Sequence, residues 1–393
     1  MRIGMLLDKP FPHDPRVANE ARSLIDAGHE VFLFCLAPRP AAPRETRDRL
    51  EIVRYSIGER FWRKASALIL TVPAYRLWFR HRLPGFLRSY GIEALHVHDL
   101  PLVGEGLRAA RGAGIPCIAD LHENYPAAVR LYDWARRFPG RWLVHPQRWD
   151  AYERAVLPKV DRIVVVIEEA RARLLAQGLP DDRIVVVENT VPVDEFERLP
   201  RDAALIRRLR EHFSVTYVGK FDRHRGLETA VDAARIARRA MPELLLVLVG
   251  TGATEPALVR RVRDHDLRDV VAFEGWQPFD RFASYVEGSA LGLIPHLKSP
   301  HTDTTIPHKL FHFMLLARAV VATDCAPIAR ILRRTGAGRI YRSGDPEALA
   351  QVWLELRDQS RREDLGAAGR EAVLSRYRWD VSARRLIDLY AGL

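Results

Sequence analysis

Residues 1–36 read MRIGMLLDKPFPHDPRVANEARSLIDAGHEVFLFCL. A short apolar run, RIGMLL, leads into an amphipathic segment, RVANEARSLIDAGH, and then into a second apolar run, EVFLFCL, which is the rhythm of parallel strands joined by a crossing helix. Asp14 and Pro15 set up a helix start and Gly28 a helix stop, so the spacing predicts a helix from Arg16 to Ala27 facing the sheet. The rhythm continues in ALHVHD (94–99), PCIADLH (116–122), RIVVVI (162–167) and RIVVVEN (183–189). It resumes in SVTYVGK (214–220), LLLVLVG (244–250), VVAFEG (270–275), ALGLIPH (290–296) and AVVATD (319–324), with Gly226 and Gly250 at strand-helix crossings.

The expected class is therefore α/β, with two Rossmann-like doubly wound domains facing a cleft that is the expected ligand site. The polar, proline-bearing stretch VENTVPVDEFERLPRD (187–202) separates the halves and puts the boundary near residue 199. A chain of 393 residues, 48% hydrophobic and 28% charged and free of low-complexity tracts, suits two globular domains. Cys35, Cys117 and Cys325 lie far apart in apolar surroundings, as reduced core thiols of a cytoplasmic protein would. MRIGMLLDK lacks the apolar run of a signal peptide, and no stretch reaches the length of a membrane span, so a soluble or peripheral protein is expected. The net charge of +11 calls for an anionic partner. Without an RNP-type motif, zinc finger or helix-turn-helix, nucleic acid is not expected to be that partner.

Two segments carry candidate chemistry. In YVGKFDRHRGLETAVDA (217–233), a strand and a glycine turn at Gly219 precede Lys220 and Arg225, which supply positive charge near a helix start where a diphosphate could be held; the alternative is a solvated basic loop. LVLVGTG (246–252) adds Gly250 and Gly252 behind another strand. In HTDTTIPHKLFHFMLLARAVVATD (301–324), a polar loop with Thr304 and Thr305 leads to Pro307 at a helix start, whose free amides, with Lys309 nearby, could face phosphate oxygens; an ordinary capped crossover is the alternative. Residues 60–90 hold seven Lys or Arg and no Asp or Glu, interleaved with Trp62, Tyr75, Trp78, Phe79 and Phe86. That pattern predicts an interfacial segment drawn to anionic lipid, the alternative being a helix pair buried on the domain flank with a solvated basic face.

Seven pieces occur in one order: HDPRVANEARSLIDAGHEV (13–31), GIPCIADLHENYP (114–126), VVVENTVPVDEF (185–196), VGKFDRHRGLETAVDAA (218–234), LVLVGTG, FEGW (273–276) and PHKLFHFMLLARAVVATD (307–324). Together they make the chain resemble the GT-B fold glycosyltransferases of glycosyltransferase family 4 over nearly its whole length. RYRWDVSARRLIDLY (376–390) looks like that family's last helix, which returns to the amino-terminal domain. The resemblance implies an acceptor-binding domain over 1–199, a nucleotide-sugar-binding domain over 200–376 and a returning helix over 377–393. It implies transfer of a sugar from a nucleotide diphosphate donor to an acceptor, with retention at the anomeric carbon; the acceptor is expected to be a sugar or, given lipid contact through residues 60–90, a lipid-linked one. The donor is a substrate; no cofactor and no metal are expected, in keeping with the lack of a convincing Asp-x-Asp motif. A peripheral place on the inner membrane face would suit such an acceptor.

Carried over by position, the resemblance makes Lys220 and Arg225 the basic pair on the donor diphosphate and the turn at Gly275 and Trp276 a base-contacting segment. His122 matches the amino-domain histidine near the reacting sugar. It also stands where the apolar strand PCIADL ends, ahead of Glu123 and Asn124, although a structural histidine would sit there equally well. One departure concerns the family's two glutamates eight positions apart, which fall on Thr304 and His312, and the second of which usually holds the nucleotide ribose. A neutral His312 can accept one hydrogen bond but lacks a carboxylate's bidentate reach, and Asp303 and Asp324 are the nearby carboxylates that could stand in. The rival readings are a non-hydrolysing nucleotide-sugar 2-epimerase, which would need carboxylates around the sugar, and a catalytically silent partner that keeps the fold.

Overall fold

The structure, a computed structural model, describes residues 1–12, 14–131, 142 and 145–393. His13, in the first of the seven pieces, lies outside the described residues. The chain forms two compact units, Met1–Asn189 with Ser382–Leu393, and Thr190–Val381. The division thus falls inside the polar stretch 187–202 but ten residues before the expected 199, and the chain rejoins the first unit at Ser382 rather than at 377.

In the first unit, strands β1 (Arg2–Leu6), β2 (Glu30–Ala37), β3 (Arg44–Arg47), β4 (Leu50–Ser56), β5 (Ala94–His98), β6 (Cys117–Leu121), β7 (Arg162–Val165) and β8 (Ile184–Val186) make one sheet in the order β3-β4-β2-β1-β5-β6-β7-β8. Neighbours are parallel except β3, which runs antiparallel to β4 and closes that edge with four exposed residues. The chain leaves β1 toward β2 and returns on its other side as β5, so the order reverses between the carboxyl ends of β1 and β5. In open parallel sheets that reversal is where ligands bind. The helix Pro15–Asp26 is capped by the Asp14 carboxylate, which accepts from the Val17 amide at 3.4 Å. It buries Val17, Ala21 and Leu24 together with two charged residues, Arg16 and Glu20.

In the segment 60–90 several of the aromatic residues are used in packing. Tyr75, Phe79 and Phe86, on the helix Ala74–Ser89, are fully buried. Phe79 and Phe86 lie with Trp78 around Phe34 of β2, at centroid distances of 5.7, 5.5 and 6.3 Å. Trp62 donates its indole N–H to the Asp8 carbonyl at 3.1 Å. Arg76 and Arg80 pair with buried Glu105 at 2.8 and 3.1 Å. The aromatic periodicity is therefore that of a helix packing on a sheet, and the exposed residues include Arg60, Phe61, Arg63, Lys64, Leu77, Arg80 and Arg88. No described helix is long and apolar enough to cross a membrane.

The helix Trp379–Ala391 contributes its residues from Ser382 onward to the first unit. There Tyr390 is buried with its hydroxyl 2.8 Å from His96 Nδ1, and Arg385 donates to the Val186 carbonyl at 3.1 Å.

In the second unit, β9 (Phe213–Val218), β10 (Leu244–Val249), β11 (Val271–Gly275), β12 (Leu291–Ile294), β13 (Ala319–Thr323) and β14 (Gly338–Tyr341) form a wholly parallel sheet in the order β11-β10-β9-β12-β13-β14. Helices cover it, which is why the strands read as unbroken apolar runs, with Val215, Tyr217, Leu246, Leu248, Leu293, Val321 and Trp353 in the core. Here the order reverses between β9 and β12. Gly219-Lys220 follow the first and Pro295-His296 the second. The three cysteines are free and buried.

Candidate functional site

At the reversal in the second unit, the loops after β9 and β10 pack against each other without room for side chains. Gly219 has φ 140° and Gly250 φ 132°, and a Cβ on Gly250 would lie 2.0 Å from the Gly219 carbonyl oxygen. Gly252 likewise lies against the Phe221 backbone. These glycines serve the approach of loop to loop. Lys220 is exposed at the tip. Arg225, at the end of a short 3-10 turn, donates from Nη1 to His296 Nε2 at 3.0 Å, while its Nε is buried without a hydrogen-bond partner. Lys309 places its ammonium group 3.8 Å from the Tyr217 ring centroid, directly beside Gly219. Burial, and then the Arg225 charge, hold the Lys309 pKa well below the usual lysine value. Burial and the same guanidinium push His224 down to about 3 and His296 well below the usual imidazole value. The result is a cationic corner lined by neutral imidazoles, built from β9, β12 and the segment before β13.

The helix expected to begin at Pro307 begins at Lys309 and runs seven residues, to Leu315. The amides of Leu310 and Phe311 are already bonded to the Pro307 and His308 carbonyls, at 3.1 and 3.0 Å, so the expectation of free first-turn amides at these two positions is corrected. Thr304 donates its hydroxyl to the Pro300 carbonyl at 2.6 Å; Thr305 follows in extended backbone. Trp276, after Gly275, is 73% exposed, so its ring is open to a ligand. His312 is buried among Phe196, Phe282 and Phe279, with ring centroids at 4.4, 5.0 and 6.1 Å, and its Nδ1 has no hydrogen-bond partner. Burial, then His308, lowers its pKa to about 3, so it is a neutral imidazole. The two carboxylates named as stand-ins are engaged with other groups. Asp303 accepts from the Ala326 amide and pairs with Lys298, and Asp324 accepts from the Ser343 amide.

In the first unit, His122 stands at the carboxyl end of β6 with both ring nitrogens facing carboxylates. Nε2 is 2.8 Å from Asp120 Oδ2 and Nδ1 is 3.6 Å from Asp99 Oδ1. Burial opposes its charge, but Asp99 and Asp120 outweigh it and raise the pKa to about 9. Asp99 has φ 64°, an uncommon backbone for a non-glycine residue, and is paired with Lys9 at 2.7 Å. Asp99 is held down to about 2 against its burial by His122 and Lys9. Asn124 caps the short helix Tyr125–Val129 through the Ala127 amide, and Glu123 beside it is half-buried.

Residues 16–195 match the family described as Glycosyltransferase Family 4, and residues 212–359 the family described as Glycosyl transferases group 1. The chain belongs to the GT-B glycosyltransferases of the family 4 type. Among its relatives is the amylovoran biosynthesis glycosyltransferase AmsK of Erwinia amylovora, 25% identical over 223 residues, 56% of this chain and 54% of that protein. The match thus spans about half the length of that relative. The phosphatidyl-myo-inositol mannosyltransferase of Mycobacterium leprae is 24% identical over 313 residues, 79% of this chain and 76% of that protein. Among solved structures, sucrose-phosphate synthase of Thermosynechococcus elongatus superposes with a TM-score of 0.79 at 19% identity, covering 100% of this chain and 98% of that one. At that identity the likeness establishes the GT-B fold, two Rossmann-like domains.

In this chain, sequence reasoning picked out His122, Lys220, Arg225 and Lys309 but passed over their neighbours. Lys9, Asp99 and Asp120 surround His122, and His224 and His296 surround Arg225. A signal was present: in the apolar strands HVHD and ADLH, polar residues recur at period two, on one face of the sheet.

Proposed function

We propose that the glycosyltransferase moves a sugar from a nucleotide diphosphate sugar to an acceptor, with the diphosphate held in the second unit and the acceptor in the first. The observation that carries this reading is the basic corner of Arg225 and Lys309, with Lys220 exposed on the loop after β9, at the point where strand order reverses between β9 and β12. Its charge is supplied by side chains, so the transfer step is read as needing no metal at the donor. The mechanism we infer is retaining: the cationic corner stabilises the departing diphosphate, and a diphosphate oxygen takes the acceptor's proton on the same face of the sugar. Exposed Trp276 is assigned to the base. Gly219, Gly250 and Gly252 shape the loops, and Thr304 and Thr305 with neutral His312 line the nucleoside end. Calorimetry with UDP, GDP, ADP and dTDP, followed by a transfer assay with the matching sugar nucleotides, tests it. Absence of binding by every nucleoside diphosphate would overturn the donor assignment.

A lipid-linked acceptor is our reading of the exposed cations at Arg60, Arg63 and Lys64 beside Phe61 and Leu77, and it accords with the lipid named for the mannosyltransferase relative. Vesicles test it: sedimentation with anionic lipid should exceed that with neutral lipid and fall with salt, and equal sedimentation rejects it. Position 312 favours one second reading, a partner that binds nucleotide without turnover. Tight diphosphate binding with no transfer to any acceptor would select that reading.

A further inference from the structure

Beneath His122, four side chains from three elements converge: Glu20 of the first helix, His96 and His98 of β5, and Asp120 of β6. All four are buried, none more than 1% exposed. One nitrogen or oxygen from each lies within 4.8 Å of all the others. His96 Nε2 is 3.6 Å from both Glu20 Oε2 and Asp120 Oδ2, and His98 Nδ1 is 3.8 Å from Glu20 Oε2 and 3.1 Å from Asp120 Oδ2. Three of these four separations are too long for hydrogen bonds, and Glu20 Oε2 and His96 Nε2 have no hydrogen-bond partner at all. Buried polar atoms left that way are costly and rare, so two of them aimed at one point need an explanation.

We propose that this cluster is a structural site for one divalent transition-metal ion, zinc in the first instance. A tetrahedral zinc with bonds of about 2.0–2.2 Å sets its ligand atoms about 3.3–3.6 Å apart; the four histidine–carboxylate separations, 3.1–3.8 Å, bracket that spacing, and all four atoms lie within 4.8 Å of one another. Two imidazoles and two carboxylates are a donor set that such ions accept. The outer shell is also in place. Tyr390 holds His96 Nδ1 at 2.8 Å, and Arg16 Nη2 holds the far oxygens, Glu20 Oε1 at 2.7 Å and Asp120 Oδ1 at 2.9 Å. Asp120 Oδ2 is shared with His122 Nε2 at 2.8 Å and Arg16 Nε at 3.3 Å, so the ion braces the carboxylate that orients His122. The site is separate from the cationic corner of the second unit and independent of the donor chemistry.

The rival arrangement is a proton on Glu20 in place of the ion, and metal analysis separates the two. Full-length protein carrying a histidine-free tag, loaded with zinc and dialysed against metal-free buffer, should retain about one zinc per chain. Glu20→Gln, which keeps the shape of the side chain, should lower retention at least fivefold. Zinc-edge X-ray absorption on the wild type needs no variant and should show two imidazole nitrogens and two oxygens. Retention near zero in the wild type establishes the proton and overturns the proposal. Unchanged retention in a folded Glu20→Gln variant, or a shell containing sulfur, overturns it by placing the metal elsewhere.

Discussion

Arg225 Nη1 lies 3.0 Å from His296 Nε2. A guanidinium can only donate, so the imidazole must accept through Nε2 and carries its proton on Nδ1. His296 is thus a neutral prop that fixes the Arg225 fork, and burial, with Arg225 beside it, keeps His296 uncharged. A cation held in this way before any ligand arrives loses little freedom when a diphosphate binds.

Replacing Arg225 by Ala, or Lys220 by Ala, should weaken nucleoside diphosphate binding by about 1.5–3 kcal/mol, the scale of a charged hydrogen bond. Calorimetry on folded protein measures it. Affinity unchanged in both variants would remove the pair from the donor site.

Lys309 should change protonation when the donor binds. Burial and Arg225 depress its pKa in the free protein, and a diphosphate beside it would restore the charge, so binding should take up as much as about one proton in mildly alkaline buffer. Titrations in buffers of differing ionisation heat report that number directly. Lys309→Met should abolish the uptake, and equal uptake in the variant would assign the proton to another group.

His122→Ala separates chemistry from donor binding. If His122 contacts the reacting sugar, turnover should fall roughly tenfold or more while affinity for the free nucleoside diphosphate stays within about twofold, since that ligand lacks the sugar. A structural histidine would instead lower the melting temperature and preserve turnover per folded molecule. Melting temperature, affinity and rate on one preparation decide the matter.

Acid should destabilise the second unit through His312. Its folded pKa is lowered to about 3 from 6.5, so below pH 6.5 the unfolded chain takes up a proton that the folded unit refuses. The stability present above pH 6.5 is therefore lost as pH falls toward 3, at up to about 1.4 kcal/mol per pH unit for this group. Denaturant unfolding at pH 7.5 and 5.0 should show the loss, and His312→Phe, which suits a pocket already lined by Phe196, Phe279 and Phe282, should reduce it. The same acid slope in the variant would contradict the assignment.

The sheets were legible because a strand buried on both faces announces itself locally: IVVV at 163–166 and LLLVLV at 244–249 admit few other conformations. The order of the pieces along the chain carried the family, and with it Lys220, Arg225 and His122. The same local reading left residues 60–90 open, because a helix packing on a sheet and a helix lying on lipid show the same alternation of aromatic and basic residues. Only the tertiary structure, which places Phe34 opposite Phe79 and Phe86, shows that these aromatics are used in packing on the sheet. Likewise Glu20, His96, Asp120 and Tyr390 are spread over 370 residues, and nothing in the local pattern of any one of them marks the others. Their meeting is decided by strand order and by the return of the last helix. Buried charges become compatible with the fold only where distant elements bring their partners within reach.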